Sequence, residues 1–174
     1  MTSHTISVLV ENEFGVLARV AGLFSSRGYN IESLTVNEDP IDPTVSRIVL
    51  VTSGDEQVLE QINKQLNKLI PVIKVIDFNE VEILEREMVM VKVAVDERTR
   101  SELDSIVSAF RAHIVDIGPR AVTVEVTGDS DKIKAFIALV RPLGIKEVVR
   151  SGKVAMQRSV QLNGENHRRP RESD

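Results

Sequence analysis

Apolar and polar residues alternate from Ile6 through Val8 to Val10, and then the period changes. Val16, Val20, Leu23 and Phe24 recur at i, i+4, i+7 and i+8, one stripe at helical spacing. The switch takes place across a short polar turn, Glu11-Asn12-Glu13, followed by Phe14-Gly15. This predicts a strand near 5–10 and a helix near 16–27, ended by Gly28, since the residue after a helix often needs a positive φ. A second extended run covers 30–38. SRIVLVTS predicts a third strand near 46–53, after the loop Asp39-Pro40-Ile41-Asp42-Pro43, whose two prolines exclude regular structure. Asp55 is a plausible cap for a helix near 55–69, with Val58, Ile62, Leu66 and Leu69 on one stripe. VIKVIDF predicts a fourth strand near 72–78.

The order then repeats. Val89, Val91, Val93 and Val95 alternate in a strand near 88–95, and Leu103, Ile106, Val107 and Phe110 mark a helix near 97–110. Strands near 113–117 and 121–127 flank a turn at Gly118-Pro119. Ile133, Phe136, Ile137 and Val140 mark a helix near 130–141, and a last strand near 145–155 is interrupted at Ser151-Gly152. Both halves read βαββαβ, the ferredoxin-like order, so the fold class is α+β with two tandem units. Each unit has about 75–80 residues, a size that folds alone. The expected boundaries are 4–79 and 83–156, joined by a charged stretch without Gly or Pro that predicts a short, stiff connection. Residues 157–174 have almost no apolar content, which predicts a disordered tail.

Chemistry concentrates at the first turn. A strand–turn–helix of this kind leaves backbone N–H groups at Gly15, Val16 and Leu17 facing whatever lies above the helix start, a place suited to a small carboxylate. No side chain in the turn can carry out covalent chemistry, so the feature speaks for binding. Taken alone, Asn12 reads more simply as a turn or capping residue, Gly15 as turn geometry, and Asn30 as a residue following a helix end. Glu11 and Glu13 read as solvated loop charges. His4, His113 and His167 are scattered without metal-ligand spacing, and Arg168, Arg169 and Arg171 read as a solvated charge cluster.

Composition narrows the picture further. Hydrophobic residues make up 42% of the 174 positions, yet aromatics are only 3%, with no Trp and one Tyr, so the cores must be built from Val, Ile and Leu. Without Cys there are no disulfides and no thiolate chemistry, which fits a reducing compartment. No apolar run reaches membrane-spanning length, and MTSHTIS lacks the features of a secretory leader. The formal net charge of -4 argues against a nucleic-acid partner.

Three runs, SVLVENEFGVLARVAGLFSSRGYNIESLTV, GDEQVLEQINKQLNKL and EREMVMVKV, together with EVVRSGK near the end, carry a family likeness over residues 4–156. The chain resembles the small regulatory subunit of acetolactate (acetohydroxyacid) synthase. The resemblance implies that the first half is an ACT domain, an amino-acid-binding module that works as a homodimer. It also implies a catalytic partner subunit carrying thiamine diphosphate, Mg and FAD, with no cofactor bound by this chain. The role implied is non-catalytic: activation of that subunit and feedback inhibition by valine, with leucine or isoleucine in some members. By the same resemblance the effector lies between two ACT domains. Asn12, Gly15, Val16, Leu17 and Ile31 would contact it, and Asn30 would reach it from the neighbouring subunit. The location implied is the bacterial cytoplasm, or the plastid stroma after loss of a transit peptide.

The residues argue against two other uses of the fold. An acylphosphatase-like hydrolase needs an Arg in the loop after the first strand, where this chain has Glu11 and Glu13. An RNA-binding module needs aromatics on its central strands, and SRIVLVTS has none. For the second half three roles stay open: another effector site, contact with the catalytic subunit, or dimerisation. Its RSGK run, 150–153, is a candidate contact because it is polar, basic and part of the resemblance.

Overall fold

The structure is a computed structural model that describes residues 2–79 and 81–159. Its first half is β1 (Thr2–Glu11), α1 (Val16–Ser26), β2 (Ile31–Glu38), β3 (Val45–Gly54), α2 (Glu56–Leu66) and β4 (Val72–Asp77). The four strands form an antiparallel sheet in the order β2-β3-β1-β4, so β2 is an edge strand. Ile6 lies opposite Leu50 and Val8 opposite Ile48, and these residues face the helices. With Val16, Val20 and Phe24 of α1 and Leu59, Ile62 and Leu66 of α2 they form the first core. The period-2 and period-3.6 stripes of the sequence meet there, as two half-apolar surfaces must. Gly28 takes φ 71 after α1, and the Asp55 carboxylate accepts the Val58 N–H at 2.9 Å, as the sequence predicts.

The second half is β5 (Ile83–Ala94), α3 (Thr99–Phe110), β6 (His113–Ile117), β7 (Ala121–Gly128), α4 (Ser130–Gly144), β8 (Ile145–Arg150) and β9 (Val154–Gln157). Its sheet runs β6-β7-β5-β8. Val89, Val91 and Val93 pack with Leu103, Ile133, Phe136 and Val140 in a separate core. The βαββαβ order thus occurs twice, in an α+β protein. α4 runs three residues past the expected end at 141, with Pro142 in its last turn and Gly144, its last residue, at φ 100. α2 stops at Leu66 rather than 69, yet Leu69 still packs on the core from the following turn.

Further features depart from the sequence reading. β5 begins at Ile83, and its first four residues pair with β9 rather than with the second sheet. The expected single strand over 145–155 is therefore two strands with different positions on β5. The β5–β9 ribbon lies on the helix-free face of the first sheet. Ala155 packs there with Val49 and Phe78, with Ile76, Val81 and Ile83 around them. This cover explains why Ser7 and Thr5, polar residues that face away from the helices, are buried. Gln157 belongs to β9, and the Arg158 N–H donates to the Glu82 carbonyl at 2.8 Å, so the ordered chain extends past 156. The rest of the expected tail, 160–174, lies outside the described residues.

Candidate functional site

α1 begins differently from α2 and α4. At α2 and α4 the side chains of Asp55 and Asp129 accept a backbone N–H of the first turn. At α1 the cap position is Gly15 at φ 82, which has no side chain to offer, and the first turn holds no acidic residue. The Val16 N–H makes a long bond of 3.4 Å to the Glu13 carbonyl. The N–H groups of Gly15, Leu17 and Ala18 have no partner among the described residues. The open set is therefore Gly15, Leu17 and Ala18, shifted from the Gly15, Val16 and Leu17 expected from sequence. A left-handed glycine tips Val16 back toward Glu13 and leaves its neighbours free. A Cβ on Gly15 would meet no atom within 4 Å, so space is open above the helix start. Positive partial charge, unpaired donors and open space are the features that would suit an anion.

The apolar candidates divide. Val16 opens the buried stripe of α1 and is only 4% exposed, so its side chain serves the core and does not face the space above the turn. Leu17 is 41% exposed, and Ile31 is half-buried at the start of β2. Sequence reasoning passed over Phe14, whose side chain stands fully exposed beside Gly15. The signal was an aromatic residue placed inside a polar turn.

Asn12 joins both edges of the turn. Its Nδ2 donates to Glu38 Oε2 at 3.2 Å and to the Pro43 carbonyl at 2.9 Å, and its Oδ1 accepts from Ser46 Oγ at 3.0 Å. Its backbone N–H donates to Thr44 at 2.7 Å. Both amide hydrogens are therefore used within the chain, and one Oδ1 lone pair is left. Thus Asn12 pins the β1–α1 turn to the β2–β3 loop. Asn30 is exposed, and its carbonyl accepts from Thr52 Oγ1 at 2.7 Å.

The strand registers place these two asparagines at opposite ends of the sheet. Ile31 lies opposite Thr52, which lies opposite His4, whereas Glu38 lies opposite Ser46, which lies opposite Val10. From the level of His4 to that of Glu11 is about 24 Å, seven strand steps at ~3.4 Å each. Asn12 and Asn30 of one chain therefore cannot hold one small molecule. An antiparallel pairing of two β2 edges about a two-fold axis would bring the start of one β2 beside the end of the other. The exposed Leu34 and Val36 of β2, on the same side of the sheet as the helices, would then be covered.

Elsewhere, Asp96 accepts the Thr99 N–H at 2.7 Å and the Thr99 hydroxyl at 2.9 Å, bonds that hold its carboxyl below the usual Asp range. Thr44 does the same for Asp42. Both are turn-forming groups. Among the described residues no cluster of three or more His, Cys, Asp or Glu could hold a metal ion, and no helix is long and apolar enough to cross a membrane.

Residues 6–74 match the family model of the AHAS small subunit-like ACT domain, and residues 86–159 match that of the small subunit of acetolactate synthase. The chain is 54% identical over 157 residues to the probable acetolactate synthase small subunit of Methanothermobacter thermautotrophicus, covering 90% of this chain and 93% of the relative. It is 47% identical over 163 residues to the acetolactate synthase small subunit of Aquifex aeolicus, covering 93% and 84% respectively. The crystal structure of the small subunit from Thermotoga maritima superposes with a TM-score of 0.82 at 40% identity, over 91% of this chain and 98% of that one. Two family models that together span nearly the whole described chain, relatives of matching length and a shared two-unit fold agree. The chain belongs to the acetolactate synthase small-subunit family, whose members are ACT-domain regulatory subunits rather than the catalytic ones.

Proposed function

We propose that this chain activates a thiamine-diphosphate-dependent acetolactate synthase catalytic subunit and makes it sensitive to feedback by valine, with leucine or isoleucine as alternative effectors. The observation that carries the reading is the start of α1: unpaired N–H groups, no capping side chain, no acidic neighbour in the first turn and open space above Gly15. In this reading the effector carboxylate takes the N–H groups of Gly15 and Leu17, and Ala18 if it sits deep. The ammonium takes the remaining lone pair of Asn12 Oδ1 and the Asn30 side chain of the partner chain. Leu17 and the partner chain's Ile31 enclose the branched side chain, with Val16 supporting from the core side.

The two ends of the sheet are too far apart for one chain to supply both asparagines, which supports a homodimer joined through the β2 edges. The catalytic subunit holds thiamine diphosphate, Mg and FAD in this reading, and the regulatory chain supplies binding energy only. The bacterial and archaeal relatives favour a cytoplasmic location. Titration of the full chain with L-valine, L-leucine and L-isoleucine tests the proposal, followed by assay of the catalytic subunit with and without the chain. Saturable binding with inhibition of the reconstituted enzyme is expected. Activation with no amino-acid response would leave a purely activating subunit and remove the effector site.

A further inference from the structure

The run Arg150-Ser151-Gly152-Lys153, which connects β8 to β9, touches both halves of the protein, and each of its residues makes a specific contact. Arg150 Nη2 and Nε donate to Glu87 Oε2 at 2.6 and 3.2 Å. That carboxylate is only 4% exposed and also accepts from Ser130 Oγ, at the start of α4, at 3.0 Å. Ser151 exchanges two bonds with Met88 of β5: its N–H donates to the Met88 carbonyl, and its Oγ accepts the Met88 N–H, both at 2.9 Å. Lys153 Nζ pairs with both oxygens of Glu85 at 3.1 and 3.3 Å, with the two side chains 17% and 23% exposed. These contacts tie the run to the second half and to the β5–β9 ribbon.

The other side of the run rests on β2. The Lys153 N–H donates to Ser33 Oγ at 3.2 Å. Gly152 lies so close to β2 that a Cβ would stand 2.7 Å from the Leu34 carbonyl oxygen and closer still to Thr35 Oγ1. Its φ is not in the left-handed region, so backbone conformation does not demand glycine there. Close approach does. Ser33, Leu34 and Thr35 follow directly on the start of β2, the part that the effector reading places at the shared site.

We propose that Arg150-Ser151-Gly152-Lys153 is the coupling latch of the regulatory subunit, passing effector occupancy from β2 of the ACT domain to β5, α4 and the second sheet. Its input rests on the effector reading above. A direct packing contact leaves no slack, so a displacement of β2 must move Gly152 or open the contact. Arg150 and Ser151 then carry that displacement to Glu87 and Met88, at the point where β5 passes from the ribbon into the second sheet.

The test uses the full chain and the reconstituted enzyme with two variants, Gly152→Ala and the milder Ser33→Ala. Gly152→Ala should bind L-valine within about threefold of wild type while valine inhibition of the enzyme weakens by about tenfold or more, inside the usual range of allosteric coupling. Ser33→Ala loses one hydrogen bond and should show a smaller shift in the same direction. Hydrogen exchange on the free chains reads the latch without any ligand. Amides of Ile83–Arg86 and of Lys153–Gln157 should exchange at least about tenfold faster in Gly152→Ala. Should Gly152→Ala fail to fold, Ser33→Ala carries both readouts. A wild-type chain that binds no valine removes the effector reading, and the latch is then judged by exchange and by loss of catalytic-subunit activation in the variants. Unchanged exchange, or faster exchange with inhibition and activation unchanged, overturns it.

Discussion

Replacing Gly15 by aspartate places a fixed negative charge where the effector carboxylate is proposed to sit. The structure separates the resulting costs. Gly15 has φ 82, so any other residue there carries left-handed strain of roughly 1–2 kcal/mol. No atom lies within 4 Å of an added Cβ, so the free chain gains no clash and should fold with only that loss. Two carboxylates about 4 Å apart repel by about 1 kcal/mol in water and about 4 kcal/mol at the effective dielectric near a protein surface. At 1.4 kcal/mol per factor of ten, that is roughly a fivefold to several-hundredfold loss of valine affinity. Gly15→Asn is the matched control, because asparagine has nearly the same shape, tolerates the left-handed region at least as well and has no charge. Calorimetric titration of both variants with L-valine, beside their melting temperatures, gives the comparison. The two should melt together, and Asp should bind valine at least about fivefold more weakly than Asn. Equal affinities in the two variants would show that no carboxylate sits at the helix start.

Three further outcomes follow from the same geometry. A chain ending at Asn79 loses the ribbon that covers Val49, Phe78 and Ser7, so it should be destabilised by about 3–6 kcal/mol, as for two apolar side chains exposed. Chemical denaturation of this fragment, with stability equal to that of the full chain, would show that the ribbon adds nothing. Asn12→Ala removes three side-chain hydrogen bonds from a partly exposed turn and should lower stability by ~1–3 kcal/mol, measured by the same method. No change would mean that the pinning contacts are replaced by water. The Asp96 carboxyl titrates below its ordinary value, so its contribution is complete above about pH 4 and is lost as pH falls through the lower folded-state value. Acid titration of Asp96→Asn against wild type should show the two curves converging below that point, and parallel curves would deny Asp96 its role before α3.

Most of the fold was legible because its elements carry clean periods. Val89 to Val95 alternate, Val16 to Phe24 recur as a helix stripe, and Asp55 and Gly28 mark helix ends. The ribbon was not legible. ILER at 83–86 and VAMQ at 154–157 are too short to show a period, and their pairing is fixed by docking on the first sheet. The interruption at Ser151-Gly152 was visible, but the reason for glycine lies across the chain at Leu34 and Thr35. The site was half legible. The turn and Gly15 announced a helix start with open N–H groups, whereas its missing side-chain cap and the inward direction of Val16 came from the structure. The partners of Asn12 are more than twenty residues away, and no local pattern reports such contacts. The separation of Asn12 and Asn30 came only from strand register.

Mixed dimers reveal whether each effector site is shared between two chains. A Gly15→Asp chain and an Asn30→Ala chain carrying different tags are co-purified as a heterodimer and titrated with L-valine. In the shared arrangement one site combines both lesions, while the other keeps an intact helix start and an intact Asn30. About half of the valine sites should then keep wild-type affinity, as two-fold geometry requires. Impairment of both sites would place each site within a single chain and contradict it.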